Sequence, residues 1–215
     1  MRILDLFSGL RGWSDPFRER GHQVVCVELD ERFPADWRDV LDFHPPFWGR
    51  FDGVLASPPC TSFSLMSIGT HWTHDHQPKT EKAAMGRKLV EQTRWIIGQL
   101  DPSWWLIENP RAKLRKMPCM ADLTPTTVWY CRYGDFRAKP TDIWGVPPTG
   151  FKFRPECHNG NPDHAAAPRG SRTGTQGMDK YESAKIPREL ALDVCLAAEA
   201  ALGGGTNTDD DGRKI

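Results

Sequence analysis

Short apolar runs that each end in a small or polar cluster, with helix-length stretches between them, constrain this chain more than any other feature. Residues 2–7, 23–29, 52–56 and 104–107 read as strands. Residues 13–20 and 80–100 have helical character. In the second of these, Leu89, Trp95, Ile96 and Leu100 are available for an apolar face, and Asp101-Pro102 is a stop. Residues 126–131 and 141–144 read as further strands, and 186–202 as a helix with Pro187 in its first turn. Strands alternating with helices predict an α/β fold, a mainly parallel twisted sheet with helices on both faces. Ligands in such sheets sit beyond the carboxyl ends of the strands. The polar motifs of this chain follow predicted strands.

A chain of 215 residues can bury one sizeable core. We expect a main domain over 1–145, an irregular insertion over 146–180, a helix over 181–202 packing back on the main domain, and a disordered tail over 203–215. No apolar run is long enough to span a membrane. The first residues read as a strand and turn rather than a signal peptide, so a cytoplasmic location and free thiols at all six cysteines are expected. Net charge is zero, which does not advertise a nucleic-acid binder. Its distribution is uneven: residues 111–172 hold eleven Lys and Arg against five Asp and Glu. Such a stretch suits a polyanion on one face, or simply a solvated surface.

Three motifs can carry chemistry. The first is Asp5-Leu6-Phe7-Ser8-Gly9-Leu10, with Gly12 following, where a tight turn lets backbone approach a ligand. No GxGxxG or P-loop pattern accompanies it. Glu28 lies about 20 residues on, where a carboxylate can accept from a ribose. An adenosine-containing cofactor without a phosphate chain fits, and Asp39 could receive its amino group. The second is Ser57-Pro58-Pro59-Cys60-Thr61-Ser62-Phe63-Ser64. Two prolines stiffen the exit from a strand and place Cys60 as a candidate nucleophile. The third is Glu108-Asn109-Pro110, whose shielded carboxyl suits proton donation.

In this order the three motifs resemble the signature of the cytosine carbon-5 methyltransferases, over about residues 1–144 and more faintly 186–202. The resemblance implies a Rossmann-like fold that binds S-adenosyl-L-methionine. Phe7, Ser8, Gly9, Leu10, Gly12, Glu28, Leu29, Asp39, Val40 and Pro59 would hold that cofactor. Cys60 would be the covalent nucleophile and Glu108 the acid. The double proline followed by cysteine rather than an aromatic sets the chain apart from enzymes that methylate exocyclic amino groups. Two departures stand out. The family's arginine-rich QxRxR run corresponds to Arg137-Ala138-Lys139-Pro140-Thr141, which puts Thr141 at the last arginine and leaves Arg137 or Lys139 to serve. The family's closing GNSVP motif corresponds to Ser183-Ala184-Lys185-Ile186-Pro187, without the asparagine.

Such chemistry requires a flipped base, so duplex DNA is the expected partner of a monomer. The stretch after Cys60, with Ser64, Ser67, His71, His74 and His76, would close over that base. The insertion takes the place of the family's target-recognition region and is far shorter. Ser62, Ser64, Lys152, Arg154, Arg169, Arg172 and Gln176 are the candidate DNA contacts, with Gly170 to Gly177 as a groove-entering loop and a target of about two to four base pairs. His71, His74 and His76, or Cys157 with His158 and His164, could ligate a metal, but no metal is expected. The rivals are an RNA cytosine carbon-5 methyltransferase, a non-catalytic DNA-binding relative, and a cysteine hydrolase, which lacks a clear histidine partner for Cys60.

Overall fold

The computed structural model describes residues 1–45, 49–64, 68–158, 160–165 and 180–203. Ser67, Asn159, Arg169, Arg172, Gln176, the loop 170–177 and residues 204–215 of the expected tail lie outside the described residues. Six strands form one sheet: β1 (Arg2–Leu6), β2 (Gln23–Val27), β3 (Gly53–Ala56), β4 (Trp104–Pro110), β5 (Thr126–Trp129) and β6 (Pro140–Val146), in the order β2-β1-β3-β4-β6-β5. The pairs β1–β2, β1–β3 and β3–β4 are parallel, and β6 runs antiparallel between β4 and β5. Among the described residues five α-helices accompany the sheet: α1 (Asp15–Glu19), α2 (Ile68–His71), α3 (Glu81–Leu100), α4 (Lys180–Ala184) and α5 (Arg188–Gly203).

The period-two alternation of strand side chains divides the core into two layers. Leu4, Leu6, Val25, Val27, Val54 and Ile107 pack with Phe63, Trp72 and the α3 residues Ala83, Val90, Ile96 and Ile97. On the other face Ile3, Cys26, Leu55, Trp104, Leu106 and Ile143 pack with Trp13, Phe17 and the α5 residues Leu190, Ala191, Val194, Cys195 and Ala198. Burial on both faces is why these strands read as near-continuous apolar runs. Each large side chain so buried contributes roughly 1.5–3 kcal/mol.

The structure moves several sequence-based boundaries. The helix expected at 13–20 is only Asp15–Glu19, because Trp13 turns into the core ahead of Pro16. In α3 the buried stripe is Ala83, Gly86, Val90, Thr93, Ile96 and Ile97, so Trp95 faces outward instead of inward. The most consequential change is in β4, which continues to Pro110 rather than ending at 107. Its parallel pairing with β3 stops at Ala56↔Ile107, just before Ser57-Pro58-Pro59, where the two prolines supply no N–H to a ladder. Pairing with β6 continues through Glu108↔Ile143, Asn109↔Asp142 and Pro110↔Thr141. Glu108 and Asn109 therefore sit in a strand, not in a loop after one.

Candidate active site

The topology gathers the polar motifs at one edge. Strands β1 to β4 run in parallel, so the turns after Leu6, Val27 and Ala56 and the end of β4 leave the sheet on the same side. Strand β6 runs the other way and so begins at that edge, which brings Lys139 and Thr141 there. Strand β5 is antiparallel to β6 and ends there too, delivering Tyr130.

Glu108 is 5% exposed. Tyr130 Oη donates to its Oε1 at 3.0 Å, and the Ser57 hydroxyl bonds the same carboxyl. Ser57 Oγ in turn accepts from Trp13 Nε1 at 3.0 Å, which fixes the hydroxyl's orientation. Burial raises the Glu108 pKa above the usual carboxylate range, against the opposing pull of Lys139. Asn109 Nδ2 donates to the Pro58 carbonyl at 2.8 Å, so β4 itself grips the stiff lead-in to Cys60. The Cys60 thiol is partly exposed, and its carbonyl accepts from the Phe63 N–H at 2.9 Å. Burial first, then the charge of Glu108, pushes that thiol up; Lys139 opposes both.

Lys139 carries the cation of this cluster. Its Nζ donates to the Ser183 carbonyl at 2.9 Å and lies 4.5 Å from the centre of the Tyr130 ring. Burial lowers its pKa, while Glu108 and Cys60 hold it up. Arg137 is instead paired with Asp135 and reaches the carbonyls of Glu182 and Ser183 at 3.4 Å. Thr141, at the place of the family's last arginine, is fully buried, and its hydroxyl bonds Tyr130. The segment that lacks the expected asparagine thus supplies backbone carbonyls to both remaining cations. Tyr130 was missed in the sequence, because only the order of the antiparallel strands reveals that β5 ends at the same edge as β4, across β6; Ser57 was read only as the start of the lead-in to Cys60.

The glycine turn lies two strands away. Phe7 takes a left-handed φ of 61°, uncommon for a bulky residue, and its N–H donates to the Val27 carbonyl at 2.8 Å. Gly9, at φ 42°, donates its N–H to Glu28 Oε2 at 2.8 Å, and Asp30 N–H donates to Oε1 at 2.9 Å. A Cβ on Gly12 would lie 3.0 Å from the Ile186 Cβ, so the lead-in to α5 rests directly on this turn. Ser8 Oγ is buried without a hydrogen-bond partner among the described residues, while Leu29, Leu10 and Trp37 are exposed around Glu28. An orphaned hydroxyl, a carboxylate steered by backbone and apolar surface beside it fit an adenosine-type ligand. Asp39 accepts from the Leu41 N–H at 2.9 Å as a helix cap. The Val40 side chain is in the core, and its carbonyl accepts from Gln92 Nε2 at 3.3 Å.

The expected DNA contacts divide. Ser62 is 1% exposed beneath α3, so its hydroxyl does not meet a phosphate. Arg154 spends its guanidinium on Asp193, Glu189 and the Arg132 carbonyl, pinning the insertion to α5. Ser64 is partly exposed and Lys152 exposed. A cavity of about 540 Å³ next to the site presents His74, His76, Arg111, Lys113, Arg115 and Lys116. Two of its lining residues bond the segments that flank the site: Lys113 N–H donates to the Phe63 carbonyl at 3.0 Å and Arg111 N–H to the Pro140 carbonyl at 3.1 Å. His71, His74 and His76 do not converge as metal ligands among the described residues.

No family model matches the chain. It is 29% identical over 218 residues, covering 91% of this chain and 100% of the other, to a Frog virus 3 (isolate Goorha) protein named "Probable DNA (cytosine-5)-methyltransferase". Among solved structures it is similar to the Entamoeba histolytica methyltransferase EhMeth, with a TM-score of 0.53 and 14% identity over 74% of this chain and 56% of that one. It also matches the S. pombe Dnmt2 methyltransferase, with a TM-score of 0.47 and 11% identity over 68% of this chain and 49% of that one. The chain spans about half the length of these solved structures.

Proposed function

We infer that this chain, which has a methyltransferase fold and resembles the cytosine carbon-5 DNA methyltransferases, methylates carbon-5 of a cytosine flipped out of DNA. The observation that carries the inference is the convergence of Cys60, Glu108 and Lys139 at one sheet edge beside the glycine turn. Phe7, Ser8, Gly9, Leu10, Glu28, Leu29 and Asp39 would hold S-adenosyl-L-methionine, with Gly12 and Pro59 keeping the backbone of the turn and the cysteine loop in place. Bound there, that cofactor supplies an electrophilic methyl group.

Carbon-5 of cytosine is a weak nucleophile until a thiolate adds to carbon-6. Cys60 forms that bond, and the ring's electron pair shifts to carbon-5, where the methyl group is taken up. Glu108, whose proton burial makes harder to lose, gives that proton to ring nitrogen-3 as negative charge grows there. Lys139 offsets the thiolate charge; Arg137 holds the helix segment at Ser183 against it. A water takes the carbon-5 proton, which expels Cys60 as thiolate and restores the carbon-5–carbon-6 double bond, and the nitrogen-3 proton returns to Glu108.

Access to the base requires extrusion from the duplex. The basic cavity around Arg111 and Lys116 suits the phosphates beside an extruded nucleotide. The insertion, with Lys152 in the described part, serves as a short recognition region. One active site acts on one base, so the chain works as a monomer; no described helix is long and apolar enough to cross a membrane, and a cytoplasmic site of action fits. The test is transfer of label from S-adenosyl-L-methionine into duplex DNA and, separately, RNA, followed by nucleoside analysis. Wild type should yield 5-methylcytosine in DNA and Cys60→Ala none; label confined to RNA, or label that persists in Cys60→Ala, overturns the proposal.

A further inference from the structure

Away from the active site, three soft donors from separate parts of the chain meet. The ligand atoms of Cys131, Cys157 and His164 all lie within 4.8 Å of one another. Cys131 follows Tyr130 in the turn after β5, whereas Cys157 and His164 belong to the insertion. The two thiols bond each other, and Cys157 Sγ lies 3.4 Å from His164 Nδ1. A tetrahedral zinc ion, with bonds of about 2.3 Å to sulfur and about 2.05 Å to nitrogen, spaces a sulfur and a nitrogen about 3.6 Å apart and two sulfurs about 3.8 Å apart. The observed spacing therefore admits the ion with shifts of less than about an ångström.

We propose that Cys131, Cys157 and His164 bind a zinc ion that clamps the insertion to the turn carrying Tyr130. Two thiolates and an imidazole select zinc over hard cations, which prefer oxygen ligands. Both thiols lose their protons to solvent as the metal–sulfur bonds form. Three protein donors leave one tetrahedral position. Asp163, whose charge acts on Cys131 and which is ion-paired with Arg132, is the acid nearest to hand. A second trio, His22, Cys195 and Glu199, makes an instructive contrast. There the Glu199 carboxylate is already gripped by Arg20 through both oxygens, a cation in the place of a metal. Among the described residues no such cation pairs with the cysteines of the first trio, and the Arg132 guanidinium goes to Asp163.

The pairing of Cys157 with His164 was visible in sequence, but His158 is not part of the cluster and Cys131, the third member, lies 26 positions before Cys157. The ion would give a segment whose described residues 147–165 hold no helix or strand a fixed anchor close to the active edge. It would do so through Tyr130, which donates to Glu108, so the clamp also steadies the catalytic acid.

The experiment uses the full chain, purified under reducing conditions and exchanged into metal-free buffer. Elemental analysis should find about one zinc per chain. Replacement by cobalt should give the intense thiolate-to-cobalt charge-transfer absorption and tetrahedral visible bands. Cys157→Ser and His164→Ala should each retain less than about a tenth of the zinc, whereas Cys195→Ser, in the other trio, should retain all of it. Because Cys157 and His164 are only partly buried, both variants should fold, which far-ultraviolet circular dichroism checks. Wild type with no more zinc than Cys157→Ser overturns the proposal. So does a Cys131–Cys157 disulfide in the reduced preparation. These readouts do not depend on methyl transfer, so an inactive protein that binds zinc would refute the proposed function alone.

Discussion

Glu108, Cys60 and Lys139 control one another's protonation, and each substitution at this trio should therefore be read in its neighbours. Burial raises the carboxyl and the thiol and lowers the amine. Glu108→Gln removes the proposed proton donor while keeping the shape, and should lower kcat by about 10²–10³-fold. It also removes a negative neighbour of the thiol, so alkylation of Cys60 by iodoacetamide should begin at lower pH than in wild type. Lys139→Met removes the opposing cation and should shift the same alkylation profile to higher pH. An unmoved profile in both variants would show that the trio is not coupled. Asp5 is a second buried acid, raised to about 7, chiefly by burial. The folded chain keeps a proton there that the unfolded chain loses above the ordinary value of 3.8. Stability contributed by this proton is complete below about pH 4, falls as pH rises toward 7, and is gone above it. Glu108 acts in the same direction. Calorimetric melting should therefore fall between pH 5 and pH 8 in wild type by more than in Asp5→Asn; equal declines would contradict a raised Asp5.

At the level of elements, two features explain why these segments hold their form. Thr80 caps α3: its Oγ1 accepts from the Ala83 N–H at 3.2 Å and bonds His71 Nδ1 at 2.8 Å. Thr80→Ala should cost about 1 kcal/mol of stability. At Gly53 a Cβ would fall 2.1 Å from the Trp104 ring, which lies across β3. Gly53→Ala should cost at least about 1–3 kcal/mol in a denaturant titration, since the ring is wedged in the core and cannot yield. This same scale marks what could be read beforehand. The parallel strands were legible, because burial on both faces writes itself into Ile3, Leu4, Val24, Val25, Val54 and Leu55. So were Cys60 and Glu108, whose neighbours Pro58, Pro59 and Asn109 serve a rigid exit from the sheet. The antiparallel course of β6 was not legible: a short run such as residues 140–146 carries no mark of its direction. With it went the positions of Lys139, Tyr130 and Thr141. Trp95 misled for a different reason, as a large apolar residue is free to sit on a surface.

Over the whole molecule, zero net charge conceals a polarised surface. Arg111 and Lys116 are exposed at the rim of the basic cavity and Lys113 is buried within it. Arg111→Glu and Lys116→Glu should each weaken DNA binding without regard to sequence and flatten the dependence of log affinity on log salt by about one unit per lost phosphate contact. Filter binding across a salt series reads both effects, and an unchanged slope would remove the cavity from the DNA path. The ladder that joins Glu108 to Ile143 has a further consequence for descent. Strand β6 starts at the active edge just after Lys139 and ends at Val146 on the far side, opposite Trp105. Length added or lost just after Val146 is thus inherited at the end of the strand remote from Lys139. A lineage carrying this fold can vary what it recognises while the register of acid and cation passes down unaltered.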